Sequence, residues 1–130
     1  MSVAVESRRV AIIDDDPSIC RLVRSIFEAD GWTTHLGADG ADAVRLAIDE
    51  LPDLIVLDIM MPVLDGLAAL SQIRRNGRTR GIPVILLSAR EKSRDLALGT
   101  RLGANAYITK PFDTTDLLET ASRLVSVPAA

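Results

Sequence analysis

Apolar residues along this chain keep two rhythms in turn. Short unbroken runs recur at Val10-Ala11-Ile12-Ile13, Leu54-Ile55-Val56-Leu57, Val84-Ile85-Leu86-Leu87 and Ala106-Tyr107-Ile108. Runs this short, with no polar interruption, predict strands buried on both faces. Between them the apolar spacing turns helical: Ile19, Leu22, Val23, Ile26 and Phe27, then Ala43, Leu46 and Ala47. Leu67, Leu70 and Ile73 follow, and Leu117, Ala121, Leu124 and Val125 close the series. A weaker strand is expected from Thr33 to Leu36. The segment from Glu91 to Leu102 is the poorest helical pattern and carries Gly99 inside it.

Punctuation residues agree with these elements. Asp16-Pro17 offers an N-cap with proline at the first helical position, and Gly31 closes that helix. Asp39-Gly40, Asp65-Gly66 and Asp113 open three more helices, while Pro52 and Asn76-Gly77 end two of them. Five strands in strict alternation with five helices predict an α/β domain whose parallel sheet is covered on both faces. One domain over residues 9–126 is expected, with tails at 1–8 and 127–130. No linker, repeat or low-complexity segment is visible.

The strand-like runs deliver chemistry at their ends. The first leads into Asp14-Asp15-Asp16, the second closes on Asp58, the third on Ser88, and the last on Thr109-Lys110-Pro111. Open α/β sheets carry their sites at the carboxyl edge of the strands. Acids, a hydroxyl and a lysine there suit a metal, a nucleophilic carboxylate and an anionic group in transfer.

Bulk composition narrows the classes. At 130 residues and 48% hydrophobic content, the chain can bury a proper core. Its formal charge of −3 speaks against direct nucleic-acid contact. Arg8-Arg9, Arg74-Arg75 and Arg78/Arg80 are read as solvated surface pairs. No stretch approaches the roughly 20 apolar residues of a membrane span, and no signal-peptide pattern is present, so no membrane contact and a cytoplasmic location are expected. Single Cys20 excludes an internal disulfide and multi-cysteine zinc sites, and single His35 leaves no histidine pair. Cys20 and His35 are read as structural, and Trp32 as an edge-packing aromatic.

From about Arg8 to Val125 the chain resembles the receiver domain of two-component response regulators, the fold shared with the bacterial chemotaxis regulator. The motifs appear in order: Asp14-Asp15-Asp16-Pro17, Ala38-Asp39-Gly40-Ala41-Asp42-Ala43, and Leu57-Asp58-Ile59-Met60-Met61-Pro62 with Asp65-Gly66. Leu87-Ser88-Ala89-Arg90, Gly103-Ala104 and Tyr107-Ile108-Thr109-Lys110-Pro111-Phe112 follow. Each is weak alone; their order and spacing together are close to diagnostic. The resemblance implies a flavodoxin-like doubly wound sheet with strand order 2-1-3-4-5.

It also implies roles. Asp58 would accept a phosphoryl group from a sensor histidine kinase or a histidine phosphotransfer protein. Asp14, Asp15 and Asp58 should converge, and like charges so close call for a cation. An oxygen-rich set without His or Cys suits Mg2+. By resemblance Asp15, Asp58 and the Met60 backbone carbonyl bind it directly, and Asp14 acts through water. Asp16 is assigned to the helix cap. Lys110 would reach Asp58 and then a phosphoryl oxygen, Ser88 would donate its hydroxyl, and Ala89 would leave room. Ser88 and Tyr107 would form the switch, changing the surface from Ser88 to Phe112. The family commonly has a cis bond at the Lys-Pro step. Met60 and Arg90 sit where they would impede water, which suggests a long-lived phosphoryl group.

Such a chain is a signalling domain, not an enzyme in the usual sense, although it assists its own phosphorylation and slow dephosphorylation. Two rival readings differ in kind. A receiver-like interaction module would have the fold without phosphorylation. A haloacid-dehalogenase-like phosphohydrolase would use Asp14 as nucleophile and Asp16 as acid/base, but would leave the Asp58 motif unexplained. The sequence leaves open the downstream effector or attached output domain, and a phosphorylation-dependent homodimer.

Overall fold

In the computed structural model of this protein the aliphatic runs become strands of one parallel sheet. The structure describes residues 8–89 and 93–125, and over 93–95 the backbone alone. The strands are β1 (Arg9–Ile13), β2 (Thr33–Gly37), β3 (Leu54–Asp58), β4 (Val84–Ser88) and β5 (Ala106–Thr109). Between and after them run α1 (Pro17–Ala29), α2 (Gly40–Glu50), α3 (Gly66–Arg75), α4 (Ser93–Leu102) and α5 (Thr114–Leu124). The strand order is β2-β1-β3-β4-β5, as the resemblance implied.

The uninterrupted runs are explained by the sheet having two buried faces. Ala11 and Ile13, Ile55 and Leu57, and Val84 and Leu86 share one core with Ala43, Leu46 and Ala47 of α2 and Ala69, Leu70 and Ile73 of α3. Their strand neighbours Val10, Ile12, Leu54, Val56, Ile85 and Leu87 point the other way. There they meet Cys20, Val23, Ile26 and Phe27 of α1 and Leu117 and Ala121 of α5. Side chains alternate across a strand, so a run with no polar member feeds both layers at once.

The caps act as the sequence suggested. Asp16, Asp39, Asp65 and Asp113 each accept a backbone N–H from the first turn of the following helix, at 2.7–2.8 Å. Their loops all lie at the carboxyl edge of the sheet, so capping fixes the loops that carry the chemistry.

Some expectations change. The described part of α4 begins at Ser93, and β2 runs one residue further, to Gly37. Trp32 is core, 4% exposed, with its ring edge-on to Phe27 at 5.1 Å and its indole N–H donated to Asp30. Arg74 is not a solvated surface cation. Its guanidinium donates to the carbonyls of Gly103 (2.9 Å), Ile82 (2.8 Å) and Arg80 (3.1 Å) and to Asn105 Oδ1 (2.9 Å). Asn105 Oδ1 also accepts from the Val84 N–H, so this strut ties the end of α3 to the starts of β4 and β5. Burial pushes the Arg74 pKa down. Gly103 has φ +103, and a Cβ there would sit 2.9 Å from Arg74 Nε, so both backbone and space demand glycine.

Candidate functional site

Parallel strands put all their carboxyl ends on one edge, and the acids gather there. β1 delivers Asp14 and Asp15, and its partner β3 delivers Asp58. Asp14 and Asp58 are buried, 2% and 5% exposed, while Asp15 is exposed. One carboxylate oxygen from each of the three can be chosen so that all lie within 4.8 Å of one another. β4 ends at buried Ser88 beside them, and β5 hands over to Lys110.

Lys110 is held by its backbone as well as its charge. Its N–H donates to the Ser88 carbonyl at 2.6 Å, and the Lys110–Pro111 peptide is cis. Its ammonium lies 2.7 Å from Asp14 Oδ2 and 3.3 Å from Asp58 Oδ1. Reach to Asp58 was expected; the shorter contact to Asp14 was not. The second Asp14 oxygen accepts the Asp16 N–H at 2.9 Å. Both oxygens of this buried acid are therefore engaged.

Electrostatics follow from that crowding. Burial, with the Asp14 charge behind it, pushes the Asp58 carboxyl up to about 6, against the pull of Lys110. For Lys110, burial acts to lower the pKa, but its bond to Asp14 and the charges of Asp14 and Asp58 outweigh it and leave the pKa raised. The site is thus organised around positive charge, with an ammonium already seated between two acids. Oxygen-only donors in a cluster this tight fit a hard divalent ion such as Mg2+.

The β3–α3 loop shapes the rim. Gly66 N–H donates to the Ile59 carbonyl at 2.9 Å, and a Cβ on Gly66 would strike the Asp58 carbonyl oxygen. Met60 is 65% exposed, and Ala89, the residue just past β4, is exposed. Tyr107 does not join the acids. It is half-buried on β5 and lines a hollow of about 300 Å³ with Leu96, Thr100, Ala104, Asn105 and Ala106. Arg90 lies outside the described residues, as does part of the surface from Ser88 to Phe112.

Sequence reasoning missed Val63. It has φ 69 and is 86% exposed, in the loop between β3 and α3. Pro62 signals a turn, but nothing in the sequence marks a β-branched residue as the one with positive φ.

Comparison with known proteins agrees with this geometry. The response regulator receiver domain family matches residues 10–122. The chain is 42% identical over 110 residues to the DNA-binding dual master transcriptional regulator RpaA of Synechocystis, covering 85% of this chain and 46% of that protein. It therefore spans about half the length of that relative. Among solved structures, the receiver domain of the sensor histidine kinase PA1611 from Pseudomonas aeruginosa, with magnesium in its active-site cleft, superposes at a TM-score of 0.87. That pair is 30% identical over 94% of this chain and 100% of the other. CheY from Borrelia burgdorferi, in a CheX–CheY–BeF3–Mg complex, gives 0.85 at 28% identity, covering 92% and 90%. Strand order, converging acids and these similarities lead to one conclusion: the chain belongs to the response regulator receiver domain family.

Proposed function

We propose that this chain is a phosphorylation-operated signalling switch, with Asp58 as acceptor of a phosphoryl group from a phosphohistidine on a sensor kinase or transfer protein. The observation that carries the reading is the pairing of a buried Asp58 with Lys110 inside a three-carboxylate cluster. A carboxylate becomes a usable nucleophile when the incoming group is held in line and its charge is balanced. Mg2+, held by Asp15, Asp58 and the Met60 carbonyl, with Asp14 through water, would supply that balance. Lys110 follows the charge from the acids to the phosphoryl oxygens, Ser88 donates its hydroxyl, and exposed Ala89 leaves space. Placement of fixed charges does the work.

The response would be a population shift in the Ser88–Phe112 surface, with Ser88 and Tyr107 as its two reporters. The hollow beneath Tyr107 offers a place for side-chain rearrangement. The signal would pass to an attached or separate effector. Similarity to a DNA-binding regulator makes a DNA-binding module one candidate output, with the receiver itself not touching nucleic acid.

The test is intact-mass measurement after incubation with phosphoramidate and Mg2+. One phosphoryl group should be added, and Asp58→Asn should remove it. Persistence of the label in Asp58→Asn, with loss in Asp14→Asn, would transfer the role to Asp14 and refute this reading. No labelling of the unsubstituted chain would leave an interaction module.

A further inference from the structure

From Gly66 to Arg90 the chain carries no acidic residue, and four arginines, Arg74, Arg75, Arg78 and Arg80, fall within seven positions of that stretch. Because α3 ends at Arg75 and β4 begins at Val84, this group sits at the amino edge of the sheet. Arg74 is engaged inside the fold, while Arg75, Arg78 and Arg80 are exposed. Arg101, in the last turn of α4, is exposed as well. The Arg74 guanidinium spans the Arg80 carbonyl at 3.1 Å and the Gly103 carbonyl at 2.9 Å, which sets the α3–β4 loop against the end of α4. Among the described residues, none gives these four exposed guanidiniums a hydrogen bond or an ion pair.

The loop that presents them is braced from within. Asn76 Oδ1 accepts the Arg78 N–H at 2.9 Å, and the Asn76 carbonyl accepts the N–H groups of Thr79 at 3.1 Å and Arg80 at 2.9 Å. Thr79 is fully buried and donates its hydroxyl to the Ile73 carbonyl at 2.7 Å, leaving exposed arginines on either side of it in the chain. Gly77 and Gly81 bracket the set. Neither has positive φ, and a Cβ on either would meet nothing within 4 Å, so neither turn geometry nor packing calls for glycine. Their bare backbone leaves the arginines uncovered and lets an extended chain come close.

Charge identifies the occupant. Planar guanidiniums pair with carboxylates through two parallel hydrogen bonds, and a braced loop presents them with little left to order. A nucleic-acid duplex or an anionic membrane is too broad a partner. The same edge of the sheet turns acidic nearby, with exposed Asp53 just before β3 and exposed Asp30 just after α1. Those acids repel a flat polyanion, whereas a narrow segment stays among the arginines. We propose that the α3–β4 loop and the end of α4 form a docking surface for a short Asp- and Glu-rich segment of a partner protein. The length of β4, about 13 Å, separates this surface from the edge that carries Asp58. The dock therefore holds its partner whether or not Asp58 is modified, and leaves the acidic cleft open to a phosphodonor.

The test is fluorescence anisotropy of a dye-labelled oligo-glutamate peptide titrated with the full chain at about 50 mM salt, where screening between exposed charges is weak. Saturable one-to-one binding is expected. Arg78→Glu/Arg80→Glu should weaken it at least about 10-fold, and Arg78→Lys/Arg80→Lys about threefold, because lysine keeps the charge and loses the fork. An equal charge change on α1, Arg21→Glu/Arg24→Glu, should leave the affinity within about twofold of the parent, as should BeF3 with Mg2+. Unchanged thermal midpoints confirm that the variants are folded, and the lysine pair preserves the charge of the loop. Absence of saturable binding, or parent-like affinity in Arg78→Glu/Arg80→Glu, would overturn the proposal. So would an equal loss in the α1 variant, which would reduce the effect to net charge. Tighter binding of duplex DNA or phosphatidylserine vesicles than of the peptide would overturn it in favour of another class of partner. A change of more than about fivefold on adding BeF3 and Mg2+ would refute the independence of dock and acceptor.

Discussion

Asp58→Asn should stabilise the metal-free protein at pH 8 and leave it unchanged near pH 3.5. The folded carboxyl titrates at about 6, against an ordinary value of 3.8, with burial and the Asp14 charge as causes. The native state therefore holds the proton more tightly than the unfolded chain. Its contribution to stability is complete below the unfolded value and is lost as pH rises through the folded one, between pH 3.8 and about 6. A rise of that size corresponds to about 3 kcal/mol. The amide still needs hydrogen-bond partners, which lowers the expected gain at pH 8 to about 1–3 kcal/mol. Urea unfolding with a chelator present, at both pH values, measures it as a shift in midpoint at constant m. Mg2+ at ten times its dissociation constant should stabilise the parent by about 1.4 kcal/mol and the Asn variant by less, closing the gap. Equal effects of the substitution at both pH values, or destabilisation at pH 8, would refute the claim that Asp58 is ionised at a cost.

Substitutions at two further positions probe the scaffold. Arg74→Ala should cost about 2–4 kcal/mol, because it strips a part-buried donor from three carbonyls and from Asn105. Arg74→Lys should recover only part of it, since a single ammonium cannot span that fork; chemical denaturation reads both. Gly66→Ala would drive a methyl into the Asp58 carbonyl oxygen, and should reduce labelling by phosphoramidate as well as stability. Full labelling in that variant would show that the loop relaxes without moving the acid.

Much of the site was legible because its residues close strands. An apolar run with no polar member must lie inside a doubly covered sheet, and parallel strands all end on one edge, so chain order alone puts Asp14, Asp58, Ser88 and Lys110 on a shared edge. Capping aspartates were legible too, since only short polar side chains followed by helical spacing fit there. The sequence by itself thus determined the elements, their alternation and the edge where the acids meet.

Tertiary structure alone decided the rest. The preference of Lys110 for Asp14 over Asp58 depends on sub-ångström placement of a side chain across three strands. The rise in the Asp58 pKa needs the burial and spacing of groups separated by tens of residues. Arg74 looked like surface because an arginine pair at a helix end normally is; its acceptors are backbone carbonyls, which any sequence supplies and no pattern advertises. Val63 takes a left-handed backbone because the loop is pinned at Gly40 and Gly66, a constraint that arises only when α2 and β3 are packed together. Periodicity reports which face of an element is buried; it carries no information on the distances between elements, and charge chemistry depends on those distances.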